Sequence, residues 1–337
     1  MLTLQQPVVE AARKLLDVGQ DVVLPWTLLS LLQDHPSECL RQASEIKGSA
    51  LHPSARLLLP VIVQQASHRA TGTDLDLARL HQLTEQYISD QLRWYQQRDR
   101  YQDGLPGLCS PQESLIPGAA YWDCMHPSNR QLHVQEPLHL ALLAWSNECL
   151  FDLAKRVGQD IGPLLELHEL TVYSMNECLW DEEYGLYLPR DLTCHDTVLT
   201  GSIGGILPLI ADIGDQEQAE AMRGILEANF FDPDHYCFPT GSIFNEETGI
   251  DQPDNGAVDP VINWLLFFGL LRYDFDDLAI HLRNDALDLI GEFGFYRYYE
   301  HKKHNLGNRG LGVGQQVITA AIFVDLMERP LQHPACV

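Results

Sequence analysis

The stretch FPTGSIFNEETGIDQPDNGAVDPVINWLLFFGLL, residues 238–271, joins two regimes. Its first half is irregular and rich in Gly, Asp, Pro and Asn. It carries Glu246, Glu247, Asp251, Asp254 and Asp259, with Asp234 just upstream and no Lys or Arg to offset them. Its second half, from Pro260, is an apolar run with no polar face. A helix that is hydrophobic all round is enclosed by its neighbours, so other helices must surround this one. A long polar loop feeding such a helix is where functional groups gather, although a plain solvated loop has the same composition.

Working outward, helical spacing recurs. Apolar residues at Val8, Val9, Ala12, Leu15 and Leu16, then Trp26, Leu28, Leu29, Leu31 and Leu32, predict helix between 8 and 33. Short helix is expected over 37–46. A largely buried one, kinked at Pro60, is expected over 54–70. Another starts at Thr73-Asp74, and a strong one runs over 135–157 with a proline in its first turn, where the missing N–H costs nothing. Further helices are expected from Gly162 and over 202–213, 215–229, 260–273, 274–292 and 313–328. The Gly and Pro density of 99–134 makes it a loop-rich interval, and DEEYGLYLPRDLT is short enough to pair as brief strands. With ten to twelve helices, almost no strands and no Pro- or Ser-rich linker, residues 1–337 read as one all-α domain. Its helices pair around a common axis, and its functional loops gather at one end.

Composition bounds the function. The chain has 337 residues, 45% of them apolar and 20% charged, and a formal net charge of −25. That charge makes nucleic acid and anionic membranes poor partners, because phosphate needs a basic face. No apolar run approaches the 18 residues or so that span a bilayer. The opening MLTLQQPVVEAARKLL lacks a secretory pattern, so a cytoplasmic location is expected. Eight cysteines at 39, 109, 124, 149, 178, 194, 237 and 336 never form CxxC and read as reduced thiols. The glycines at 201, 204 and 205 sit in no βαβ unit and make no dinucleotide cradle. His301 and His304, at i and i+3, have the spacing of metal ligands, but a solvated basic loop is the preferred reading of them. No cofactor and no metal are expected.

Several collinear segments carry a resemblance: RWYQQRD with DGLPGL; VQEPLHLALLAWSNECLFDLAKRVGQD; LWDEEYGLYLPRDL followed by GSIGGILPLIADIGDQEQAEAMRGIL; FPTGS; VINWLLFFGLLRYDFDDLAIHLRNDALDLI; GFYRYY; and GLGVGQQVITAAIFVDL. Between Trp94 and Met327, about two thirds of the chain, this order resembles the catalytic domain of glycoside hydrolase family 63 and its mannosylglycerate- and glucosylglycerate-hydrolase relatives. The resemblance implies an (α/α)6 toroid of six helical hairpins, as in trehalases and glucoamylase-type enzymes. The N-terminal part is shortened, and the family's early sugar loops have no clear counterpart in it. Residues 94–327 are the best-matching portion.

The same resemblance marks departures at the site. Inverting glycosidases place an acid and a base across the scissile bond, about 6.5–9.5 Å apart. The loop that carries the family's acid reads SPQESLIPGAAYWD here, residues 110–123. Glu113, Ser114, Trp122 and Asp123 match, and Pro117 stands where the acid is expected. The family's base belongs to a "GFYEYY" segment; here that position is Arg297, which stays protonated and cannot activate water. The Trp and Arg that line the family's cleft before the apolar helix become Asp254, Asn255 and Asp259, and the tryptophan of "SWTAA" becomes Ile318.

Three explanations stay open. Carboxylates among Glu113, Asp123, Glu136, Asp254 and Asp259 form a relocated pair, with Asp259, Asp254, Glu113 and Asp123 as the candidate catalytic residues. Against this, Glu136 reads first as a helix cap and Asp123 first as a structural hydrogen-bonder. Alternatively Arg297 binds an anionic substrate group, or pairs with Asp254 or Asp259, and the pocket runs non-hydrolytic chemistry such as cyclisation, elimination or decarboxylation. Finally, the protein binds without catalysing. Arg297, Tyr298, Trp122, Trp264, Glu136 and His301 are the candidate substrate-binding residues, Tyr296 and Tyr299 could join them, and the expected partner is a small polar or sugar-like molecule.

Overall fold

The computed structural model describes residues 6–18, 25–32, 34–46, 51–70, 75–116, 124, 132–194, 196–241, 256–301, 310–311, 314–329 and 331. They form α1 (Gln6–Val18), α2 (Pro25–Leu29), α3 (Pro36–Ala43), α4 (Pro53–Arg69), α5 (Leu77–Arg98), α6 (Pro137–Val157), α7 (Gly162–Cys178), α8 (Gln216–Asn229), α9 (Pro260–Arg272), α10 (Asp276–Phe293) and α11 (Val317–Glu328). Three two-residue antiparallel ladders accompany them. Val134–Gln135 (β1) pairs with Arg190–Asp191 (β4), Trp180–Asp181 (β2) with Leu186–Tyr187 (β3), and Tyr298–Tyr299 (β5) with Gly310–Leu311 (β6).

The inner elements close a ring. α2 packs on α4, α4 on α6, α6 on the 3-10 turn Leu207–Ile210, that turn on α9, α9 on α11, and α11 back on α2. Around it, α1 lies on α11, α3 on α4, α5 and α7 on α6, α8 on β3, and α10 on both α9 and α11. The sequence dictates which helix goes where. Every residue of α9 from Pro260 to Leu271 is buried, as enclosure on all sides demands. By contrast α5 buries only Leu80, Leu83, Thr84, Tyr87, Gln91 and Tyr95, a single stripe at helical spacing, and leaves its other face to solvent. This is the (α/α)6 toroid that the segment order implied.

Three of the inner helices start alike. Pro53, Pro137 and Pro260 each occupy the first turn of their helix, where φ is already helical and no N–H is lost. All three starts lie at one end of the ring. The axis is filled by aromatic side chains: Trp26 meets Trp264 at 6.0 Å between ring centroids, Trp264 meets Phe268 at 4.8 Å, and Phe268 meets Trp145 at 5.3 Å.

Three helix expectations change. The 8–33 pattern resolves into α1 and the short α2. The helix expected from Thr73-Asp74 begins at Leu77, because Asp76 is its cap and accepts the Arg79 N–H at 3.0 Å; residues 73 and 74 lie outside the described set. The helix expected over 202–213 consists of two 3-10 turns, Ile203–Gly205 and Leu207–Ile210. Gly204, Gly205 and Pro208 oppose α-helix here. The tighter path lets α9 approach closely: a Cβ on Gly269 would stand 2.8 Å from the Leu209 Cβ and 3.1 Å from its backbone. The seven described cysteines are free thiols, and no helix among the described residues is long and apolar enough to cross a membrane.

Candidate functional site

The end of the ring where α4, α6 and α9 begin collects the segments singled out above. The loop after α5 is pinned from both sides. Asp99 accepts the N–H groups of Asp103 and Gly104 at 3.1 and 2.9 Å. His52, ahead of α4, contacts the Gln112 carbonyl at 2.6 Å, and Ser54 donates to the Glu113 carbonyl at 3.3 Å.

Glu113 is held within this loop. Arg98 grips its carboxylate with two hydrogen bonds of 2.8 and 3.0 Å, the Cys109 N–H adds a third at 2.8 Å, and the Arg98 guanidinium lies 4.5 Å above the Trp94 ring. Burial pushes the Glu113 pKa up, but Arg98 and the Cys109 N–H overcome it, so the net shift is downward. A carboxylate so arranged is a fixed negative charge rather than a proton donor.

Glu136 occupies the N-cap position of α6, yet its side chain makes no cap hydrogen bond. This corrects the expected capping role. The carboxyl, 3% exposed, turns to Ser114, whose hydroxyl donates to Oε1 and also accepts the Ile116 N–H at 2.9 Å. One turn further along α6, His139 is fully enclosed, its ring centroid 5.3 Å from that of Trp94, and neither ring nitrogen has a hydrogen-bond partner. Burial lowers its pKa to about 4, so it stays neutral. His139 escaped the sequence reading, although a histidine within the apolar face of an inner helix was the available signal.

At the start of α9, Asp259 does cap its helix, accepting the Val261 N–H at 2.8 Å. The same oxygen, Oδ1, forms an ion pair with Arg297. Oδ2 is buried with no hydrogen-bond partner. Arg297 reaches it from the segment before β5, and its guanidinium lies 4.6 Å above the Tyr298 ring. Burial pulls the Arg297 pKa down, Asp259 more than offsets it, and the net shift is upward. The chain runs beside α9 because Val258 and Tyr299 exchange backbone hydrogen bonds of 2.8 and 2.9 Å. The Arg297 side chain keeps 23% of its surface accessible against 1% for Asp259, so the pair shows solvent its cationic face.

The remaining candidates divide. Tyr298 and Tyr296 are half-buried, whereas Tyr299 is 1% exposed and its phenol accepts the Tyr296 N–H at 2.9 Å. His301 contacts the Gly256 carbonyl at 2.8 Å and stacks edge-on with His235, at 4.4 Å between centroids. Trp264 is not a wall of this end: it is 1% exposed on the axis, and its indole N–H donates to Asp325 at 2.8 Å. A tryptophan inside an all-apolar helix has no phase from which its direction can be read. Trp122, Asp123, Asp254, Asn255, Pro117 and His304 lie outside the described residues. Among the described residues, no group of three or more His, Cys, Asp and Glu side chains is placed to hold a metal ion.

The comparisons with known proteins agree with this architecture. The Rubrobacter radiotolerans mannosylglycerate hydrolase is 28% identical over 58% of this chain and 44% of its own length. That of Thermus thermophilus is 25% identical over 62% of each. The chain thus spans about half the length of the curated relatives it matches. A crystal structure of the GH63 mannosylglycerate hydrolase from Thermus thermophilus in complex with glucose superposes with a TM-score of 0.79, at 19% identity, over 90% of this chain and 91% of that one. At that identity the superposition speaks for the fold. Residues 36–308 match the mannosylglycerate hydrolase MGH1-like glycoside hydrolase domain, and with most of the chain inside that match, the protein belongs to this glycoside hydrolase family.

Proposed function

We propose that the end of the toroid around Arg297 binds a small sugar-like acid, and that this chain does not hydrolyse glycosides with the family's acid and base. The observation that carries the reading is the Arg297–Asp259 pair. It occupies the position that the resemblance assigns to a base. An ion-paired guanidinium cannot take a proton from water, but its outward N–H groups suit a carboxylate. The relatives' name, mannosylglycerate hydrolase, supplies a ligand class with such a group. One related structure also contains D-glycerate. Tyr298, stacked beneath the guanidinium, restricts its orientation, and Asp259 holds it from behind.

Calorimetric titration of the full chain with D-glycerate and with glycerol tests this reading. D-glycerate is expected to bind at least about tenfold more tightly, the worth of one charge-assisted hydrogen bond. Equal affinities, or no binding of either, would overturn it.

A second reading, hydrolysis by a relocated carboxylate pair, draws support from Glu136. This buried carboxyl is hydrogen-bonded by Ser114, in the loop where the resemblance seats the acid. Its counterpart would then come from Asp123 or Asp254. In this reading Glu136→Gln abolishes sugar release from mannosylglycerate; a wild-type chain that releases none removes the reading.

A further inference from the structure

At the opposite end of the ring lies a groove of about 810 Å³. Helix α6 connects the two ends: about 18 Å of helical rise separates Glu136, beside the family cleft, from Glu148, in the groove. α6 stops at Gly158, whose φ of +72 and αL conformation let the chain turn back into α7. The groove forms where the two helices diverge, floored by the ends of α9 and of the 3-10 segment.

The apolar and aromatic part of its lining is Phe151, Ile161, Val172 and Tyr173. Tyr173, which lines the groove, is 63% exposed. The volume lies within the range of small-molecule pockets, and the lining combines an apolar and aromatic part with charged side chains.

The charges decide what kind of molecule fits. Arg272 is already neutralised: Glu148 pairs with it at 2.8 Å, and Arg272 also donates to the Ile210 carbonyl at 2.8 Å. Asp152 is engaged by Gln64 at 3.1 Å and His68 at 2.6 Å. Burial lowers the pKa of His168 to about 4, so this ring, packed edge-on to Phe151, adds no positive charge. What remains is Asp212 and Glu169 against Lys155, a net negative rim on a chain whose formal charge is −25. A field of that sign concentrates cations and repels anions.

We infer that this groove is a second small-molecule site, which takes an organic cation with an apolar body, such as an aryl- or alkylammonium. The apolar part fills the space between Phe151 and Val172, while the ammonium sits over the Tyr173 ring within reach of Asp212 and Glu169. A cation over an aromatic face beside carboxylates is a recurrent solution for such ligands. The inference does not rest on the reading of the Arg297 end, which lies across the ring.

Benzylammonium, benzyl alcohol and benzoate share one shape and differ in charge, so titrating the full-length protein with each tests the inference. Benzylammonium is expected to bind saturably, about tenfold more tightly than benzyl alcohol, with benzoate weakest. Tyr173→Ala and Asp212→Asn should each weaken benzylammonium several-fold. Tyr173→Phe, which keeps the ring, should not, and Arg297→Lys at the other end should leave it unchanged. Both Tyr173 and Asp212 are exposed, so these variants retain the fold. If benzoate binds best, Arg272 and Lys155 dominate and the assignment is wrong. Absence of saturation, or indifference to Tyr173→Ala, overturns it equally.

Discussion

Two arginine–aspartate pairs sit in the ring, and they differ in how fully each is connected. Arg329 and Asp325 are 3% and 0% exposed and joined by several hydrogen bonds. Arg329 donates to both oxygens of Asp325, at 2.6 and 2.8 Å, and to Gln65 at 2.9 Å, while the Trp264 indole donates to Oδ2 of Asp325 at 2.8 Å. The guanidinium also lies 4.8 Å over Phe268. Arg297 and Asp259 share one oxygen only; the other oxygen of Asp259 has no partner, and the guanidinium is partly open to solvent. A buried network with its members bonded to one another holds its elements rigidly, and a sparsely bonded pair does so less.

The largest expected effect falls on the closed pair. Arg329→Met removes the cation paired with Asp325 and leaves a buried carboxylate held by the Trp264 indole N–H, which costs about 3–5 kcal/mol, read by urea denaturation. Arg329→Met with Asp325→Leu should recover most of that, because two apolar residues tolerate the site better than one stranded charge. A single variant as stable as the wild type would break the distinction.

The next effect is a pH dependence. His139 has a folded pKa depressed to about 4 by burial, against an unfolded value of about 6.5. The unfolded chain therefore takes up a proton between those values while the folded chain does not. Stability is fully present above about pH 6.5 and declines as pH falls toward 4, by up to about 3 kcal/mol. His168, lowered to about 4 as well, acts in the same direction. Denaturation at pH 7, 5.5 and 4.5 should show the decline, and His139→Leu should flatten it. An unchanged slope in that variant would mean that His139 is not enclosed as described.

Smaller effects belong to the open pair. Arg297→Met should cost about 2 kcal/mol, less than its counterpart because the guanidinium is partly solvated already. Asp259→Asn keeps the helix cap and should cost about 1 kcal/mol or less. Ser114→Ala, which removes the hydroxyl donor to Glu136, should cost about 1 kcal/mol. Thermal unfolding of the three variants checks the order; Arg297→Met falling below Arg329→Met would erase the contrast.

The ring itself was legible in the sequence because the signals were local. Proline at the starts of α6 and α9, the faceless apolar run of α9 and the single stripe of α5 each assign a helix and its depth, whereas Pro53 read as part of a turn and proves to open α4. The 203–210 segment resembles a helix in its apolar content, while Gly204, Gly205 and Pro208 favour the tighter 3-10 path that it takes. At the site, position was legible and partnership was not. Glu136 stands at a cap position, but its bond goes to Ser114, 22 residues away in the chain. Arg297 had two candidate acids, and only the backbone pairing of Val258 with Tyr299 brings it to Asp259. Trp264 faces the axis because of Asp325, a partner at a sequence distance no periodicity reports.

The claim that the Arg297–Asp259 pair is a binding element rather than a clamp is tested most directly by titrating D-glycerate into the wild type and into the Arg297→Met/Asp259→Asn double variant. The double variant strands no charge, so it should unfold at nearly the wild-type temperature. The account predicts that it loses D-glycerate affinity at least about tenfold. A stable double variant that binds D-glycerate as the wild type does would contradict it.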